Sequence, residues 1–409
     1  MGGHSPHAGL GPGHHHPHRQ ELGSHRDPAL LGLRVGRRDR EGGDRRKLGG
    51  QIHLWDNEAP AASRKGNAVP QLRQDLITGR WVAVATERAK RPDSFTQAPR
   101  DAVAAKDICP FCPGNEKMTP PEVLAYREPG SAPNGPGWWL RVVPNLYAAF
   151  RLEPDGQTAH DGVFEQRDAI GACEVLISSP DHRATTPLLP RHQVEEIVQS
   201  YLDRYHAHQR NPALEYVLIL YNHGRPAGAS LEHPHSQLYA VGVVPPAFQE
   251  ELAGAQRHLA QGSGCVFCRI ITEERRAGAR IIMENEAFLV FAPYAARTPF
   301  ETWIIPKRHA ASFGDLGGRE KAPLAEALQR TLKAFRTGLN DPPFNYFIHS
   351  APLKARVDDA YHWHLEIIPK LSIAAGFEMG AGMWINVVKP EDAASFLRQQ
   401  ITVEDRAAV

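Results

Sequence analysis

From about residue 70 onward the chain alternates short apolar runs with longer stretches in which apolar positions recur every three or four residues. The runs Arg80–Thr86, Trp138–Val143, Cys173–Ser178 and Glu215–Tyr221 combine β-branched, aromatic and aliphatic residues, the composition of buried strands. Between the last two, Val194, Ile197, Val198, Tyr201, Leu202 and Tyr205 share one face of a 3.6-residue period, with charged residues between them. This predicts an amphipathic helix whose stripe packs into a core. A second cycle follows, with strands at Glu286–Ala292 and Glu301–Ile305, a helix over about 319–338, and strands at Phe344–His349 and Tyr361–Ile368. The alternation predicts an α+β protein. Residues 1–66 break the pattern: they are rich in Gly, Arg and His, include His14-His15-His16-Pro17-His18, and show no sustained apolar period. Such a segment cannot repay the entropy of ordering and is expected to be a disordered extension without chemistry. It also lacks the continuous apolar core of a secretory signal.

A length of 409 residues leaves room for two or three domains. The formal net charge of +1 offers no bulk attraction for nucleic acid or an anionic membrane, so neither is expected as a partner. No apolar run approaches the roughly 20 residues of a membrane helix, and Val217–Tyr221 is typical of the longest. The expectation is a soluble, cytoplasmic protein. Four of the five cysteines form two Cys-x-x-Cys pairs, Cys109/Cys112 and Cys265/Cys268. That spacing suits metal-bound thiolates in a reducing compartment better than a disulfide framework. Cys173 is left over as a buried strand residue.

The metal-type residues recur in the same order in both halves. Cys109-Pro-Phe-Cys112 is followed by His182 and then by His233-Pro234-His235, and Cys265-Val-Phe-Cys268 by His309 and then by His362-Trp363-His364. The spacing from His182 to His233 is 51 and from His309 to His362 is 53. An internal duplication accounts for this grammar. Each set holds two thiolates and two imidazoles, the complement that closes a tetrahedral zinc site and leaves no position for water. Cys109, Cys112, His182 and His233 would then anchor the strand that carries His235. The second set is Cys265, Cys268, His309 and His362. A redox role for either Cys-x-x-Cys is the competing reading.

In His233-Pro-His235-Ser-Gln237 the alternate residues share one strand face. A neutral imidazole has one lone-pair nitrogen able to attack phosphorus, and it departs more readily than an alkoxide. A histidine nucleophile therefore suits reversible nucleotidyl transfer, although His-x-His by itself is more often a metal site or a satisfied core pair.

Several stretches together resemble the galactose-1-phosphate uridylyltransferase family of the histidine-triad superfamily: Arg73–Trp81 with Glu87–Pro92, Pro144–Ala149, Tyr221–Ser230, Pro293–Glu301 and Gly376–Glu378. Asn340–Pro343, the Cys265/Cys268 pair and Gly376–Gly382 are similar to the ADP-glucose phosphorylase branch of that family. The resemblance implies tandem duplicated histidine-triad-like domains, 67–255 catalytic and 256–409 C-terminal, with mainly antiparallel sheets flanked by helices. It implies His235 as nucleophile and Gln237 as a phosphate contact, with Arg88, Arg91, Asn145, Asn222, Ser230 and Glu378 binding substrate. The activity implied is movement of UMP from UDP-glucose to a hexose 1-phosphate through a nucleotidyl-histidine. Adenylyl transfer from an ADP-sugar to phosphate is the alternative, because the position matching the family's hexose-phosphate lysine is Ser372. Partners are thus a nucleotide sugar and a sugar 1-phosphate or phosphate, and a homodimer is implied. Histidine-triad hydrolases carry a third histidine where Gln237 stands, and glutamine cannot donate a proton to a leaving group. A hydrolase and a non-catalytic zinc-stabilised nucleotide-binding module are the remaining readings. His364 is followed by Glu366, and a structural or substrate-shaping duty is expected there. The second metal could instead use Glu251, His349, His362 and His364, with iron or zinc, as in better-known relatives.

Overall fold

The computed structural model describes residues 69–87, 109–153 and 159–407. The 1–66 extension, Arg88 and Arg91 lie outside the described residues. The chain forms β1 (Gln71–Gln74), β2 (Trp81–Val84), β3 (Leu124–Arg127), β4 (Trp138–Pro144), β5 (Ala159–Asp161), β6 (Phe164–Gln166) and β7 (Gly171–Ile177). Then come α1 (Arg191–Gln209), β8 (Tyr216–His223), β9 (His235–Val241), α2 (Pro246–Ala260) and α3 (Val266–Ala277). The remainder is β10 (Ile281–Glu284), β11 (Phe288–Phe291), β12 (Thr302–Pro306), α4 (Lys321–Gly338), β13 (Phe344–His349), β14 (His364–Pro369), α5 (Gly376–Ala381), β15 (Trp384–Asn386) and α6 (Pro390–Ala407).

Ten strands make one sheet in the order β10-β11-β12-β14-β13-β8-β9-β7-β4-β3, with every neighbouring pair antiparallel. Counted outward from the β8/β13 pair, the order is β9, β7, β4, β3 on one side and β14, β12, β11, β10 on the other. The α+β architecture and antiparallel pairing agree with the sequence reading. Because β8 pairs with β13, the two halves share one sheet, and residues 64–409 cluster as one compact unit. The strand expected at Arg80–Thr86 belongs elsewhere: β2 pairs with β1 and, in parallel, with β15 in a separate three-stranded sheet. β5 and β6 form a hairpin.

Alternation decides which face each strand residue meets. Ser236, Leu238 and Ala240 of β9 and Leu365 and Ile367 of β14 point to one side. There Val194, Ile197, Val198 and Tyr201 of α1 and Leu324, Leu328, Leu332 and Phe335 of α4 close the largest core cluster. The predicted α1 stripe is buried at every position. The opposite face carries His235, Gln237 and Tyr239 in the first half and His364 and Glu366 in the second. Phe111, Val175 and Ile177 pack beside the former, and Phe267 of α3 with Trp303, Ile305 and Tyr361 beside the latter. α2 was not anticipated, because Gly and Ala in its buried stripe blur the apolar period. Gly254 explains itself: a Cβ there would lie 1.9 Å from the Ile77 carbonyl oxygen, so glycine alone lets the 75–78 turn seat on α2.

Candidate active site and metal centres

The first Cys-x-x-Cys turn brings its sulfurs to the two predicted histidines. His182 Nδ1 lies 3.4 Å from Cys112 Sγ, and His233 Nδ1 lies 3.6 Å from Cys112 Sγ and 3.7 Å from Cys109 Sγ. A tetrahedral zinc with ordinary Zn–S and Zn–N bonds separates S from N by about 3.6 Å. The donor set therefore fits a metal without rearrangement. His233 Nε2 donates to the Ser179 carbonyl at 2.8 Å, which leaves Nδ1 as the lone-pair nitrogen turned to the sulfurs. Burial pulls the His233 pKa down to about 4, so the ring is neutral, as a ligand must be.

β9 begins two residues later. His235 Nδ1 donates to the His233 carbonyl at 2.8 Å, so its Nε2 carries the lone pair. Among the described residues no group bonds that Nε2. The ring is 5% exposed, and burial lowers its pKa against the opposing His233 carbonyl, which keeps it neutral. Phe111, between the two cysteines, sets its ring edge-on at 5.2 Å from the His235 centroid. Beside His235, Gln237 accepts at Oε1 from the Tyr239 hydroxyl at 2.9 Å, which fixes the amide with its NH2 group unspent. Ser236 points to the helix side and bonds the buried Tyr201 hydroxyl, which meets Tyr346 at 2.7 Å. This ties β9 to both α1 and β13.

The second half holds two donor sets where the sequence reading weighed one against the other. Cys265, Cys268, His309 and His362 form one, with Cys268 Sγ at 3.2 Å from His309 Nδ1 and 3.6 Å from His362 Nδ1. His362 Nε2 donates to the Pro306 carbonyl at 2.9 Å, the counterpart of His233 and Ser179. Glu251, His349, His364 and Glu366 form the other. The alternative set with His362 is thereby corrected: His362 turns to the cysteines, and Glu366 takes its place. Residues 362, 364 and 366 share a strand face, so alternation could not separate them; the register β13–β14, which pairs His349 with His364, does. His364 Nδ1 donates to the His362 carbonyl at 3.1 Å, while its Nε2 stands 3.3 Å from Glu251 and 3.7 Å from Glu366. Burial disfavours its charge, yet these two carboxylates outweigh it and raise the His364 pKa to about 10. Burial pulls Glu366 upward, but Arg297, His349 and His364 hold it down at about 2.

The other predicted residues are scattered. Asn222 on β8 is one residue beyond the last β8–β9 pair, Tyr221 with Ser236, and pairs with Asn345 of β13. Ser230 is exposed at the end of the turn that begins at Gly224 and Gly228, both of positive φ. Asn145 follows β4, and its Oδ1 accepts the Tyr147 amide at 2.9 Å, closing a turn. Glu378 sits on α5, its carboxylate accepts the Ala375 amide at 2.9 Å, and α5 leads into β15 of the small sheet. Tyr239 and Asn345 escaped sequence reading, since aromatic and amide residues at strand positions carry no motif, while Tyr201 was read as core packing of α1 without its bond to Ser236.

The continuous antiparallel sheet, the His-x-His-x-Gln strand and its thiolate-imidazole anchor define a histidine-triad-superfamily fold. The chain matches the family described as galactose-1-phosphate uridyl transferase, N-terminal domain, over residues 61–245, and a domain of unknown function, DUF4921, over residues 190–407. It is 36% identical to the ADP-glucose phosphorylase of Arabidopsis thaliana over 352 residues, 85% of this chain and 97% of that one. It is 29% identical to the galactose-1-phosphate uridylyltransferase of Thermotoga maritima, covering 80% and 98%. Among solved structures, that of the Arabidopsis thaliana ADP-glucose phosphorylase with bound ADP-glucose superposes with a TM-score of 0.68 at 35% identity, over 81% of this chain and 99% of that one. A uridylyltransferase structure gives 0.64 at 28% identity, over 82% and 99%. The chain belongs to the galactose-1-phosphate uridylyltransferase family, close to its ADP-glucose phosphorylase branch.

Proposed function

We propose that this protein is a nucleotidyltransferase that moves a nucleoside monophosphate between a nucleotide sugar and a phosphate acceptor through His235. The observation that carries the reading is the tautomer: Nδ1–H is spent on the His233 carbonyl, which leaves Nε2 as a neutral nucleophile. Nε2 forms a bond to the α-phosphorus while the P–O bond to the sugar 1-phosphate breaks. An acceptor phosphate oxygen then takes the phosphorus, and the histidine is released. Gln237 Nε2 and the Asn222 amide donate to non-bridging oxygens. Arg88, Arg91, Asn145 and Ser230 are assigned to the substrate phosphates and base by resemblance, Glu378 to substrate binding, and the resemblance also implies a homodimer. A sugar phosphate leaves without a proton donor, which suits glutamine at position 237 and disfavours hydrolysis.

Greater similarity to an ADP-glucose phosphorylase than to the uridylyltransferases supports an ADP-sugar as donor and inorganic phosphate as acceptor. The sequence reading had placed UDP-glucose and a hexose 1-phosphate first. That second reading retains the uridylyltransferase match. The thiolate-imidazole donor sets suit zinc, which would act as a structural clamp on each half. The mirrored order of strands about β8/β13 supports two histidine-triad-like units, 67–255 and 256–409, derived by duplication. Intact-mass spectrometry after brief mixing with ADP-glucose or UDP-glucose tests the proposal. An adenylyl adduct with ADP-glucose, absent from His235→Asn, is expected; a uridylyl adduct alone would select the second reading, and no adduct with either would overturn both.

A further inference from the structure

Asn345 lies on β13, in the second half of the chain, and pairs with Asn222 of β8 where the two halves of the sheet meet. Its Nδ2 carries two hydrogens, and both are spent. One goes to Asn222 Oδ1 at 2.7 Å and the other to the Ala227 carbonyl at 2.7 Å. Ala227 belongs to the turn between Gly224 and Gly228, whose φ values of 79° and 92° let the backbone fold tightly behind Asn222. The β8–β9 pairing closes at Tyr221 and Ser236, so Asn222 and His235 are the next residue on each strand.

A carboxamide has two ends of nearly equal size and opposite hydrogen-bond sense. Left alone, Asn222 presents either end to a phosphate, and only the nitrogen end stabilises charge there. With Oδ1 taken by Asn345, the end left over is Nδ2, which lies 3.9 Å from where a Cβ of Gly228 would be, at the mouth of the glycine turn. Reversing Asn222 would set donor against donor at Asn345 and oxygen against a phosphate oxygen.

We propose that Asn345 is a positioning residue for nucleotidyl transfer. It locks Asn222 with its donor toward the phosphate and tethers the glycine turn. The second half of the chain thereby shapes the anion contact of the first. This rests on the reading of Asn222 as a phosphate contact.

The test is a double-mutant cycle on the full-length enzyme, with nucleotidyl-histidine formation from ADP-glucose and UDP-glucose as the readout. Asn345→Asp keeps the shape but accepts where asparagine donates, so it recruits Asn222 Nδ2 and turns the oxygen outward. Its kcat is expected to fall about 100-fold with KM changed less than about threefold, the size of losing one preorganised donor. Asn345→Ala, which frees the amide without reversing it, is expected to cost about 10-fold and serves in the same cycle should the aspartate variant fold poorly. In both cases combination with Asn222→Ala is expected to be no slower than Asn222→Ala alone, whereas a merely structural role would multiply the losses. Parental rates in both Asn345 variants, or multiplicative losses, would overturn the inference while leaving Asn222 in place. A parental rate in Asn222→Ala would instead remove the reading on which the inference rests.

Discussion

Strands β9 and β14 carry almost the same side-chain series, His-x-His-x-Gln and His-x-His-x-Glu, each behind a Cys2His2 cluster and each with its second histidine donating to the carbonyl of the first. Their chemistry nevertheless diverges at one nitrogen. His235 keeps a lone pair on Nε2 because its Nδ1–H is spent on the His233 carbonyl and the residue two positions on is the uncharged Gln237. His364 faces Glu251 and Glu366 at 3.3 and 3.7 Å, and their charges raise its pKa and favour its protonated form. The same backbone supports the proposed nucleophile in one half and a buried ion network in the other. What separates them is the charge of the residue two positions on and of one residue arriving from α2.

The largest expected effect separates the two histidines themselves. His235→Asn is expected to lower sugar-phosphate exchange by at least about 10⁴-fold with stability nearly unchanged, as loss of a nucleophile does. His364→Asn should show the reverse, kcat within about threefold but unfolding free energy lower by about 3 kcal/mol, because Glu251 and Glu366 lose their counter-charge. Exchange assays beside urea denaturation would read both, and equal loss of activity in the two variants would erase the proposed division.

Gln237→Glu makes β9 resemble β14 at that position. A carboxylate there favours a protonated His235 and repels the substrate phosphate, so kcat should fall about 10²- to 10³-fold. A rate within threefold of the parent would show that Gln237 does not face the phosphate.

Metal content sharpens the comparison further. Cys109→Ser with Cys112→Ser is expected to remove one bound ion per chain and cut kcat about 10- to 100-fold, since that cluster holds His233, two residues before His235, in line. Cys265→Ser with Cys268→Ser should remove a different ion and lower Tm while leaving kcat nearly intact. Elemental analysis with rate assays checks both, and unchanged metal in either pair would refute its assignment.

The smallest effect concerns stability in acid. Glu174 on β7 is paired by its Arg204 and His208 partners on α1, at 2.6 and 2.9 Å, whereas the corresponding β12 residue, Thr302, makes only a hydroxyl bond to Phe300. Burial pulls the Glu174 carboxyl up, but His208 and Arg204 overcome it and hold it below its usual 4.5. A carboxyl depressed in the fold contributes stability above its unfolded pKa and loses it as pH falls through the folded value. Glu174→Gln should therefore be about 2 kcal/mol less stable at pH 7, and the gap should close below about pH 4. A gap independent of pH in urea titrations would contradict the pairing.

Much of this was legible beforehand because it depends on local spacing. The α1 stripe, the strands at Trp138–Val143 and Phe344–His349, and both Cys2His2 sets rest on periods of 2 and 3.6 and on short ligand spacings, which survive any tertiary arrangement. Other features depend on contacts between residues far apart in the chain. Glu251 reaches His364 only because α2 packs against β14's open face, and Asn345 reaches Asn222 only because β13 joins β8. His362 and Glu366 are interchangeable by alternation, and only the depth at which each side chain meets α2 or the Cys265–Cys268 turn assigns them. The amino-acid order thus determined that His235 exists on a strand that begins at a Cys2His2 donor set. Which histidine keeps its lone pair was decided by tertiary structure, because a proton's position follows from the nearby charges that folding gathers.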